Sequence, residues 1–186
     1  MDGITSTSAL VDKLKQLAKE QGGEAVPFKL EELPILESIR IKCQIPLCED
    51  YGICKTCPPN LPPVTVVKEL VKEYQLGLLV IWTEALTDLA LYRDDFTAEL
   101  KLHQLVNQLE KEAYQAGYYQ TIGLTVGGCK LCPKCTPPGE ACRHPFKARP
   151  SPEGLGMDVT SLARKLGIPI EWPPKTKVIF LGMILI

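Results

Sequence analysis

The sequence predicts an α/β fold: a single domain over residues 1–186 with a small sheet, crossover helices and two cysteine-rich metal-binding loops. Three observations lead there. Apolar residues recur at helical spacing in several segments, and short apolar runs alternate with them after residue 64. All eight cysteines fall in two groups, at 43–57 and 129–142.

The elements follow in order. Leu10, Val11, Leu14, Leu17 and Ala18 share one helical face, and Gly22-Gly23 supplies a stop. The Pro-rich run "CPPNLPPV" feeds a second helix whose Val67, Leu70, Val71 and Tyr74 keep the i, i+3, i+4, i+7 spacing. "GLLVIWT" reads as a buried strand. From about Asp95 to Ala116 a longer helix buries Leu102, Leu105, Val106, Leu109 and Ala113, stops at Gly117 and hands over to the strand "YQTIGLTV". A last helix, with Val159, Leu162, Ala163 and Leu166 on one face and Gly167 as its stop, leads to a closing strand from Val178 to Ile186, whose direction the pattern leaves open. His103 lies within the long amphipathic helix and reads as structural.

Composition narrows the function classes. At 186 residues, 45% hydrophobic and 23% charged, the chain can bury one core without covalent staples. A net charge of -1 and a pI near 6.2 give no bulk attraction to nucleic acid or to an anionic membrane. "MDGITSTSAL" lacks the basic and apolar regions of a secretion signal, and "VIFLGMILI" is shorter than the ~20 residues that a membrane-spanning helix needs. The chain therefore reads as cytoplasmic. In that reducing compartment metal binding is a better account of eight thiols than disulfides.

Spacing separates the metals. Cys129, Cys132 and Cys135 form C-x2-C-x2-C, with Cys142 further on before Arg143. A tetrahedral zinc site usually draws two thiolates from each of two separate knuckles, whereas the ferredoxin run C-x2-C-x2-C gives three corners of an iron–sulfur cube to one loop. The second group thus reads as a [4Fe–4S] loop. Cys142 departs from the ferredoxin spacing, which makes it the place where an open iron could arise. Gly127 and Gly128 would allow the backbone close to an inorganic group. The first group, Cys43, Cys48, Cys54 and Cys57, could supply a second cube or close a zinc site.

Cations crowd the second loop. Lys130, Lys134, Arg143, Lys147 and Arg149, with His144 among them, are candidate contacts for an acidic redox partner or for the cluster's own charge. "RPSPEGLGMDV" carries a helix-start signal at Ser151-Pro152-Glu153, cut short by Gly154 and Gly156, whose N–H groups would suit an anion.

"CPP" after the first thiol group, "GGCKLCPKC", "CRHP" and "RPSPEGLGMDV" together resemble an uncharacterised family of small predicted metal-binding proteins of bacteria and archaea. The resemblance covers nearly the whole chain. It implies metal binding through all eight cysteines and brings neither a substrate nor a catalytic residue.

Radical adenosylmethionine C-x3-C-x2-C, P-loop, GxGxxG and HExxH patterns are absent. Because eight thiols fill two cubes, the expected function is electron transfer to or from a larger redox protein, by a module rather than a stand-alone catalyst. An open-iron enzyme and a zinc-stabilised interaction protein are the alternatives.

Overall fold

The computed structural model describes residues 6–86 and 95–186. Residues 1–5, part of the stretch read for a leader, lie outside them. Helix α1 (Thr7–Glu20) starts at Ser6, whose hydroxyl accepts from the Ala9 N–H. It ends before Gly22, whose φ of +87° is a left-handed stop. Strand β1 (Glu24–Phe28) follows, then the short helix α2 (Glu37–Arg40), α3 (Val64–Leu70), β2 (Gly77–Ala85), α4 (Thr97–Gln115), β3 (Ile122–Leu124), α5 (Val159–Lys165) and β4 (Lys177–Leu185).

The sheet order is β1-β2-β4-β3, and every neighbouring pair is antiparallel. Strands β2 and β3 both oppose β4 and so run the same way. The helix between them, α4, is the crossover that the sequence implies, with β4 inserted between the two strands it connects. This arrangement settles the direction of the closing strand.

Both faces of the sheet are covered. Leu78, Val80, Phe180 and Ile184 point to one side and pack against Leu10 and Leu14 of α1 and Leu102, Val106 and Leu109 of α4. Leu79, Ile81, Leu181, Met183 and Leu185 point to the other, against Val67 and Val71, and against Val159 and Leu162 of α5. The period-two alternation of two fully flanked strands explains why their sequences read as unbroken apolar runs. Helix α4 lies close to the sheet because Gly182 and Gly123 leave room: a Cβ there would stand 2.9 Å and 2.7 Å from Val106 methyls.

Two expectations are corrected. Leu70 is exposed although it keeps the helical spacing: Val67 and Val71, four residues apart, carry the inward face, and the helix gives way to a 3-10 turn (Val71–Glu73). The run "YQTIGLTV" pairs only over Ile122–Leu124. After that the Thr125 N–H is donated to the Pro150 carbonyl at 2.9 Å, so the chain leaves the sheet for the second cysteine loop. Among the described residues no helix is long and apolar enough to cross a membrane.

Candidate metal centre

Both cysteine loops are built from successive tight turns. In the first, the Cys48 N–H is donated to the Cys43 carbonyl (3.0 Å), Cys54 N–H to Asp50 (3.0 Å) and Cys57 N–H to Cys54 (3.1 Å). Asn60 Nδ2 closes the end by donating to the Cys54 carbonyl at 3.0 Å. Arg40 ties α2 to the proline run, donating to the carbonyls of Leu61 and Pro62. Cys54 and Cys57 are buried, Cys43 is half-buried and Cys48 is exposed.

The second loop leaves β3 through Gly127, whose φ of +60° requires a left-handed turn. Cys129, Cys132, Cys135 and Cys142 line one small void of about 20 Å³ together with Thr136 and His144. Spacing left the role of Cys142 open; the fold brings it to the same void as the other three thiols.

Sulfur in these loops is supplied with backbone donors from two residues downstream. The His144 N–H is donated to Cys142 Sγ at 3.3 Å, and Cys129 and Cys54 receive N–H bonds from Leu131 and Thr56. Such bonds favour a thiolate over a thiol, which is the form that binds metal. Buried Thr136 adds an unsatisfied group: its Oγ1 has no hydrogen-bond partner, yet it lines the void between the thiols. A sulfur-rich anionic group there would meet that need. The residues present therefore fit a thiolate-bound metal group. Among the described residues no three His, Cys, Asp or Glu side chains are drawn together as around a single ion.

The two loops form one unit. Cys54 also accepts the backbone N–H of Cys129. Lys55 Nζ donates to the Pro137 carbonyl at 2.9 Å, and Lys130 Nζ lies 3.3 Å from Asp50 Oδ2. Asp50 sits so close to Gly128 that a Cβ there would stand 1.9 Å from its Oδ2. Glycine at that position thus admits the other loop's carboxylate.

Thiol acidities differ accordingly. The hydrogen bond from Cys57 lowers Cys54 to about 5 against its burial, with help from Thr56. Cys57, the donor in that pair, is pushed up, as burial adds to its cost of ionising. Burial also raises Cys43, with the charges of Cys48 and Glu153 adding to it and Arg40 opposing. Cys129 is raised mainly by burial.

Of the cations singled out, Lys130 is engaged by Asp50 and lies 4.6 Å from the Phe96 ring centre, and Arg149 pairs with Glu110 at 2.6 Å. Arg143 donates to the Lys134 carbonyl at 2.8 Å. Lys134 and Lys147 are exposed and form no ion pair among the described residues. The backbone after Arg143 is held by α4: His103 Nε2–H and Asn107 Nδ2–H both donate to the Lys147 carbonyl, at 2.7 and 3.0 Å. His103 is buried in this structural role, and burial lowers its pKa.

The turn at Ser151 differs from expectation. Ser151 Oγ accepts the Gly154 N–H at 3.1 Å, and the N–H groups of Leu155, Gly156 and Met157 go to Pro152 and Glu153 carbonyls. These donors are consumed within the turn, so they hold no anion. The turn instead brings Glu153 beside Cys43.

Asp50 and Thr136 lie within the cysteine loops but carry no ligand motif, and Glu153 read only as part of a helix start; its place beside Cys43 depends on a contact between distant segments, which no local spacing records.

The fold and these loops define a cysteine-rich protein of predicted metal-binding class. The chain belongs to the DUF2284 family of predicted metal-binding proteins, whose model matches residues 27–186. No curated protein and no solved structure matches it.

Proposed function

We propose that the chain carries a [4Fe–4S] cluster in each cysteine loop and passes electrons to or from a larger redox protein. The observation that carries this reading is the second loop: four thiols around one void, with N–H donors behind Cys129 and Cys142 and the orphaned Thr136 hydroxyl among them. A cube held by four thiolates would supply one-electron transfer. The chain's own part is to hold the thiolates, offset their charge with N–H donors and limit water. Contact between Cys54 and Cys129 places the two groups side by side. Exposed Ile41, Ile45, Leu47 and Ile53, on the first loop and the turn entering it, give a partner protein an apolar surface. Exposed Lys134 and Lys147 favour an acidic partner.

Protein purified without oxygen should hold about eight iron and eight sulfide per chain, and show electron paramagnetic resonance of reduced cubes. Cys142→Ser should alter the second signal or lower its occupancy. Stoichiometric zinc without sulfide, in cells supplied with iron, would overturn the reading.

A further inference from the structure

A cleft of about 430 Å³ opens between the first cysteine loop and α5, a volume within the range of small-molecule sites. Its wall is apolar at Ile39, Met157 and Val159, of which the last two are buried. Lys42 and Arg164 also line it, are exposed, and form no ion pair among the described residues. The nearby Asp158 is committed to its own helix, accepting the Ser161 N–H at 2.9 Å and the Ser161 hydroxyl at 2.7 Å. Glu153 also lines the cleft, its carboxyl held by the Ser151 side chain and its Oε2 shut off from solvent. Cys43 and Cys48 complete the lining, so a molecule in the cleft stands against the first thiol group.

A larger groove of about 840 Å³, beside α3, also has cations on its wall, Lys29 and Lys68 beside the Lys72 that pairs with Glu69 at 2.7 Å, but no thiol reaches it. The cleft at α5 joins an apolar wall, two free cations and a metal-binding thiol pair in one place.

We propose that this cleft binds a small organic acid, its carboxylate at Lys42 and Arg164 and its apolar body along Met157 and Val159. The site gives the first cysteine group a small ligand of its own. Nothing in the recognition depends on which metal the thiols hold, so its failure and that of the iron–sulfur reading are separable.

Calorimetric titration of the anaerobically purified metal-loaded protein with hexanoate tests it. Saturable binding with a dissociation constant of roughly 1–10 mM is expected, with hexanamide and inorganic phosphate each at least about tenfold weaker. Replacing both cations, Lys42→Gln with Arg164→Gln, should weaken hexanoate about tenfold without changing the metal content. Ile39→Trp, which fills the cleft, should abolish binding while the two exposed cations remain. Absence of hexanoate binding, equal binding of hexanamide, or affinity unchanged in both variants would overturn the proposal.

Discussion

The sulfur of Cys54 accepts the backbone N–H of Cys129, so a ligand candidate of the first loop is hydrogen-bonded to one of the second. Removing that sulfur should disturb both loops. In Cys54→Ala the metal of the first group should be lost and the occupancy of the second should fall as well. Cys48→Ala, at the exposed end of the first loop, should affect the first group alone. Metal analysis with the spectra of both variants checks this, and an untouched second signal in Cys54→Ala would remove the coupling.

Asp50 and Gly128 provide a second test of the joined loops. Gly128→Ala must displace the Asp50 carboxylate and with it the contact to Lys130. A destabilisation of about 1–2 kcal/mol is expected by thermal unfolding. In an Asp50→Ala background the same change should cost less than about 0.5 kcal/mol, since the crowded group is gone. Equal losses in both backgrounds would place the cost elsewhere.

His103 makes the anchoring of the basic segment sensitive to acid. A carbonyl only accepts, so the bond to Lys147 needs Nε2–H, which both the neutral tautomer and the cation supply. Burial nevertheless disfavours the charged ring and depresses its folded pKa. The unfolded chain then binds more protons below the ordinary histidine value of about 6.5, so this contribution is full above that pH and declines as pH falls through it. His103→Leu should flatten this part of the stability profile while costing on the order of 2 kcal/mol at neutral pH, because Lys147 loses one of its two donors. Urea unfolding between neutral and mildly acidic pH measures both effects.

The cations around the second loop divide by what they touch. Charge reversal at exposed Lys134 and Lys147 should slow reduction by an acidic electron donor severalfold and weaken its salt dependence, with unfolding unchanged. Lys130→Glu should instead destabilise the protein by about 1–2 kcal/mol, because it sets a like charge beside Asp50. Stopped-flow reduction across a salt series, combined with thermal unfolding, separates the two roles. An unchanged rate in the Lys134 and Lys147 variant at every ionic strength would leave these cations without a docking role.

Much of this protein was legible in the chain itself. Periodicity placed α1, α4 and α5, because an amphipathic helix must keep its apolar residues at 3.6-residue spacing whatever it packs against. Cysteine grouping located the candidate metal loops for a similar reason: ligands from one short loop must be close in sequence. Strand β1 escaped notice because Pro27 argues against a strand, and only its place at the sheet edge accommodates that residue. Tertiary structure alone decided that β4 enters between β2 and β3, that Asp50 meets Gly128, and that Glu153 lies beside Cys43. Those relationships join segments far apart along the chain. They arise when the sheet closes and both cysteine loops come together, a geometry that the packing of the whole fold selects and local residue order does not encode.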